Sequence, residues 1–359
     1  MRAEPELAGE LAWLGFDMVS TANNHSMDFG VGGMRRTLEA AEAAGLVTAG
    51  TGDHLAEARA PGYLETPGGR VALISIASTF ADPMRAGHQR PDMRGRPGLS
   101  PIRYETEVTL TSAEMAGLRS AAARLRPGWA DADVIRMAGV TFRAGADPGV
   151  TTRPHAGDLA EIVAIVGEAE RQADWVLVTS HSHEGAGDRN VPADFLVEVA
   201  RAVVDAGADM FIGHGPHVLR GVEVYQGRPI FYSLANFIFQ NETVELQPHD
   251  NYAAYGLGHE DLPGAFQDTR IEASGRRAFP ADPAFWESVV PVVTFEGGGL
   301  QEIRLHPITL GHGLPRPVRG RPLLADEELG REILEELAAL SAPFGTVLAI
   351  EDGVGTIRP

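Results

Sequence analysis

Apolar residues recur along this chain at two different spacings, and the alternation between them outlines the fold. Residues 6–14 carry helical spacing, and residues 17–21 (DMVST) form a short run of the kind that makes a buried strand. A polar turn of Asn23, Asn24 and His25 follows. The next helical stretch, 32–44, closes on Gly45, which suits the left-handed position after a helix end. Residues 71–77 (VALISIA) predict a second buried strand. Farther on, Leu159, Ile162, Val163 and Val166 share one helical face and lead into a strand over 175–179. Leu196, Val199, Ala200 and Val203 repeat that pattern ahead of a strand over 209–212. This β-loop-α rhythm predicts an α/β protein.

Two stretches interrupt it. Residues 80–105 are dense in Pro, Gly and Arg and have no period, and a helix over 112–125 follows them. Together, 80–157 reads as an insertion on the main sheet. Residues 241–287 are polar, aromatic and irregular, a second insertion and a candidate lid. Between the two, VEVYQGRPIFYSL predicts a hairpin turning at Gln226 and Gly227. Strands over 288–295 and 300–305 close the sheet. Asp326 can cap a last helix, about 326–340, whose Leu329, Ile333 and Leu337 face the core. The whole chain, 1–359, reads as one domain carrying these insertions.

Composition narrows the function classes. The 49 acidic and 30 basic residues leave a formal charge of −19, without the basic stripe that nucleic-acid binding needs. Every basic residue is arginine, which excludes a lysine Schiff base and a Walker lysine. The absence of cysteine excludes disulfides, thiol nucleophiles and thiolate metal sites. No apolar run is long enough to span a membrane, and the acidic, helical first residues differ from a secretory signal. The chain as given therefore reads as soluble. An anionic polymer would meet long-range repulsion from this acidity. Arg85, Arg90, Arg94 and Arg96 offset it locally unless they merely solvate their loop.

Four polar clusters fall at or just after predicted strand ends, where α/β sheets place ligands. They are Asn23, Asn24, His25 and Asp28; His181, His183 and Glu184; His214 and His217; and Asn236. Five of the twelve histidines lie in the first three clusters. Imidazole, amide and carboxylate donors suit a divalent metal such as Mn, Zn, Fe or Mg, which acidifies bound water and polarises a phosphoryl oxygen. Taken singly, each cluster has a plainer explanation. Asn-Asn-His suits a turn and helix cap, a lone histidine suits a core partner, and Gly213 and Pro216 suit loop punctuation. Four such clusters at four strand ends favour a site.

These residues also carry a resemblance. LGFDMVSTANNHSMDFG, DWVLVTSHSHEG and DAGADMFIGHGPHVLRGVEVYQGRPIFYSLANFIF resemble the CapA family of capsule and poly-γ-glutamate synthesis, over about residues 6–78 and 159–240. The resemblance implies an α/β fold of the calcineurin-like metallophosphoesterase type: a sandwich of two β-sheets flanked by helices. It implies Asn24, His181, His214 and His217 as metal ligands and His25 as the catalytic acid. Asn23, Asp28, His183, Glu184 and Asn236 are further pocket residues. The implied substrate is an anionic polymer or a phosphorylated compound of the cell envelope. The activity is either metal-dependent phosphoester hydrolysis or non-catalytic accessory binding at a degenerate site. Family members also carry a strand ending in Gly-Asp and an Asn-Leu-Glu-like motif ahead of the Asn-His motif, and this sequence contains neither. Either the natural start lies upstream, with an envelope signal or anchor, or half of the metal site has been lost.

Overall fold

The chain opens with a short helix, α1 (Leu7–Trp13), none of whose residues is buried. Strand β1 (Met18–Ser20), helix α2 (Gly30–Ala43) and strand β2 (Val47–Ala49) follow. The computed structural model describes residues 2–241, 244, 247–274 and 280–359. The main sheet draws its six strands from two separated parts of the sequence. β3 (Gly62–Thr66) and β4 (Gly69–Ala77) come first. After helix α3 (Ala156–Glu170) come β5 (Trp175–His181), helix α4 (Asp194–Asp205), β6 (Met210–His214), β7 (Leu219–Tyr225) and β8 (Arg228–Leu234). Their spatial order is β7-β8-β6-β5-β4-β3, parallel from β8 through β4 with an antiparallel strand at each edge.

Burial explains the arrangement. On α4, Phe195, Leu196, Val199, Ala200 and Val203 are buried at i, i+3 and i+4 spacing. With Ile162 and Val166 of α3 they cover Ile74, Val178, Phe211 and Tyr232 on one face of the sheet. Side chains alternate across a strand. Phe231, between Ile230 and Tyr232, therefore faces the opposite way and joins Leu219 and Val222 in a second core. That core contains Val289, Ile303, Leu305 and Ile357 of another sheet, and Ile333, Leu334 and Leu337 of the helix Glu327–Ser341. The second sheet has Glu287–Glu296 beside Gly299–Thr309, then Val354–Ile357 and Ala349–Glu351. The fold is mixed α/β, several sheets flanked by helices. Among the described residues no helix is long and apolar enough to cross a membrane.

Several expected elements meet their counterparts closely. The hairpin turns at Gln226 and Gly227, both with positive φ (50° and 74°), as a tight two-residue turn requires. Asp326 caps the last long helix by accepting from the Leu329 N–H at 3.0 Å. Other expectations change. The first insertion is not loop and helix alone: Tyr104–Leu110, Val134–Met137, Val140–Ala144 and Gly149–Pro154 build a four-stranded sheet. The second insertion is partly helical, His249–Ala254 and Pro263–Ser274, because Tyr252 and Tyr255 both pack on Phe266. Residues 242, 243, 245, 246 and 275–279 of that stretch lie outside the described residues. The largest correction concerns β1. It pairs in parallel with β2 alone and does not enter the main sheet, so the four clusters do not all follow strands of one sheet.

Candidate functional site

The main-sheet half of the site is set by register. β5 and β6 run parallel with His181 directly beside His214, so both side chains leave the same face. Both strands extend farther than the apolar pattern indicates and end on these histidines. Backbone bonds carry the alignment onward, from Ser182 N–H to His214 O at 2.8 Å and from Ser78 N–H to His181 O at 3.0 Å. His183 and His217 follow one short step beyond. Ring centroids are 5.1 Å apart for His181 and His214, 4.9 Å for His181 and His183, and 5.5 Å for His183 and His217. Gly215 makes this packing feasible: at φ +122°, a Cβ there would meet Ser182 N at 2.9 Å and His183 Cδ2 at 3.1 Å.

Hydrogen bonding orders the rings. Asn236 donates through Nδ2 to Phe285 O at 2.9 Å, which leaves its Oδ1 to accept from His217 Nδ1–H at 2.7 Å. His181 turns Nδ1 to His214 Nδ1 at 3.1 Å and Nε2 to His183 Nε2 at 3.0 Å. Each contact needs one donor and one acceptor. His214 Nε2 is buried and has no hydrogen-bond partner among the described residues, and an orphaned N–H is the rarer state in a protein interior. The consistent assignment has His214 Nδ1–H donating to His181 and His181 Nε2–H donating to His183. All three rings are then neutral. Burial, reinforced by the neighbouring imidazoles, pushes His181 down to about 2 and His183 and His214 to about 4. Burial also lowers His217, against the opposing effect of its Asn236 bond.

The other half rests on β1. Asn23 Oδ1 accepts from the His25 N–H at 2.8 Å, and Ser26 Oγ donates to Thr21 O at 2.6 Å, closing the polar turn expected there. His25 Nδ1 donates to Asp28 Oδ2 at 2.8 Å, and its ring is 43% exposed. No hydrogen bond joins the Asn24 side chain to the histidines among the described residues. His25 is near enough for its charge to disfavour protonation of His181, His183 and His217. A cleft of about 720 Å³ opens beside β1, lined by Val19, Thr21, Asn23, His25, Met34 and Arg36 among others.

Glu184 has a structural setting that its sequence context hides. Its carboxylate accepts from Ser78 Oγ at 2.6 Å and Thr79 Oγ1 at 2.9 Å, and burial, with the charge of Glu184, raises the pKa of the nearby Tyr104 hydroxyl. Ser78 and Thr79 were legible only as the residues after a predicted strand. Tyr104 begins the inserted sheet, and nothing in the sequence links it to Glu184. Arg220 was also missed. It stands inside the apolar run VLRGVEV and is completely buried.

The expected ligands can be tested against a metal. Two imidazole nitrogens near 3 Å apart are spaced like ligands of one ion, but His181 offers opposite nitrogens to its two neighbours. A ring cannot bind one ion through both. Among the described residues, no group of three or more His, Asp or Glu side chains is placed to hold a metal ion. The histidines present thus fit a pair of ligands and not a set of three.

Comparison with known proteins identifies the family. Residues 1–241 match the family model described as bacterial capsule synthesis protein PGA_cap. The uncharacterized protein y4sH of Sinorhizobium fredii is 39% identical over 367 residues, covering 99% of this chain and 78% of that protein. The PGA biosynthesis protein CapA of Bacillus subtilis is 30% identical over 226 residues, 63% of this chain and 43% of its own length. A probable polyglutamine synthesis accessory protein of Mycobacterium tuberculosis is 30% identical over 264 residues, 73% of this chain and 52% of its own. With two thirds of its length matched by one family model and every histidine of the cluster inside that match, the chain belongs to the bacterial capsule synthesis protein family.

Proposed function

We propose that this protein serves the synthesis of an anionic cell-envelope polymer of the poly-γ-glutamate class, acting at its histidine cluster on the polymer or a phosphorylated precursor. The observation that carries this reading is the cluster itself: four imidazoles from two adjacent strand ends, packed ring against ring and held neutral by burial. Such a group is expensive to desolvate and contributes little to a core that apolar side chains would fill better. The relatives' names, a PGA biosynthesis protein and a probable polyglutamine synthesis accessory protein, support the polymer class. A calcineurin-like sandwich, with the two larger sheets sharing one apolar core, belongs to the same reading. The test is replacement of the gene in a polymer-forming cell by His181→Ala or His214→Ala. Polymer is expected to fall to the level of the deletion at undiminished protein abundance. Unchanged polymer would sink the proposal.

A hydrolase is the second reading, favoured by one observation, the His25–Asp28 pair. Asp28 fixes the ring through Nδ1 and leaves Nε2 to carry a proton to a leaving oxygen. Among the described residues the histidines supply two metal ligands and not three, and this proton path needs only the His25–Asp28 pair. Release of alcohol from a chromogenic phosphodiester by the purified protein, lost in His25→Ala, tests it.

A further inference from the structure

Arg220 lies in β7, and none of its surface reaches solvent. Burying a guanidinium is costly unless its donors are used, and here two of them go to a single loop. Nε donates to Arg189 O at 2.8 Å and NH2 to His183 O at 3.1 Å. NH1 finds no partner among the described residues. The loop so gripped leaves β5 at His181, carries His183 and Glu184, and returns through a bridge between Gly185 and Pro192. Ala186 N–H bonds to Val191 O at 3.1 Å, and Asn190 Nδ2 donates to Leu219 O at 3.0 Å, beside Arg220 itself. The planar fork of an arginine can hold two carbonyls at fixed separation, which a flexible ammonium cannot do as rigidly.

We infer that Arg220 is a positioning residue for the histidine cluster: its guanidinium clamps the carbonyls of His183 and Arg189 and so fixes the His183 ring against His181. The importance of that geometry rests on the proposed function, but the clamp itself does not. Glu184 contributes from the opposite side, tied to Ser78 and Thr79 at the end of β4. Thr79 Oγ1 also accepts from the His183 N–H at 2.9 Å. The ring is thus held between a carbonyl clamp and a hydroxyl–carboxylate anchor.

The experiment compares the full chain with Arg220→Met, following amide hydrogen exchange over residues 183–190 and the ¹⁵N shifts of the His183 ring. The clamp predicts at least tenfold faster exchange in that loop, with the His183 Nε2 shift moving toward that of a free imidazole while circular dichroism stays native. A general packing role would lower the melting temperature and leave the His183 shifts in place, and that result overturns the inference. Should the methionine variant fail to fold, Arg220→Gln keeps most of the side chain and one amide donor. Its His183 shifts are expected to move partway, and unchanged shifts would overturn the inference equally. Neither readout involves polymer or turnover, so failure here is distinguishable from failure of the proposed function.

Discussion

The two halves of the candidate site are built on different physical terms. On the main-sheet side, His181 and His214 sit on strands paired at both edges, and their orientation follows from register. On the β1 side, His25 follows a three-residue strand with one partner, and its ring is substantially exposed. The first half trades solvation for fixed geometry, and its imidazoles are consequently hard to protonate. The second keeps solvent access and holds its ring through a single carboxylate. A site joining a rigid neutral wall to a solvated histidine can bind with one and move protons with the other.

Acid should break this comparison most strongly. His181, His183 and His214 have folded values below the ordinary 6.5, so the unfolded chain takes up protons first as pH falls. Their contribution to stability is full above 6.5 and is lost as pH drops toward about 4 for His183 and His214 and toward about 2 for His181. Each can cost up to ~1.4 kcal/mol per pH unit in that window. Melts from pH 7 to 5 should show a fall of several degrees that His214→Asn makes shallower, and a flat profile would contradict the buried wall. Next in size is His25→Ala, expected to cut any phosphodiester turnover by ~10²–10⁴-fold while the melting temperature stays within about a degree or two, as for an exposed change. Loss of stability without loss of rate would show that His25 only closes the turn.

Gly215→Ala sharpens the other side. A Cβ at that backbone angle, pressed on Ser182 and His183, should cost ~1–3 kcal/mol by denaturant titration. The same change at exposed Gly30, whose φ is also positive but where nothing lies within 4 Å of the added atom, should cost less. Smallest is Asn236→Ala. It removes the bonds to His217 Nδ1 and Phe285 O at a cost of ~1–2 kcal/mol, and ring NMR should show His217 losing its fixed tautomer. An unaltered tautomer would mean that another group holds that ring.

Much of the fold was legible because burial imposes a period. α4 repeats its apolar residues at helical spacing, and β8 alternates between two cores, so sequence alone marks both. The same pattern placed the histidines near strand ends but stopped β5 and β6 short, since polar residues carry no apolar signal. The inserted sheet escaped for the converse reason: strands such as Gly149–Pro154, largely exposed, have no buried face to imprint a period.

The sequence by itself determined which chemistry is present: no thiol, no lysine, many carboxylates, and histidines gathered after apolar runs. Residue identity is written directly in the chain, and local periodicity follows from one face meeting a core. Tertiary structure alone decided which of those groups meet. The pairing of His181 with His214, the clamp of Arg220 on His183, the reach of Tyr104 to Glu184 and the separation of β1 from the main sheet all depend on register and on contacts between residues far apart in sequence. No local propensity encodes them, because their energies exist only once both partners are in place.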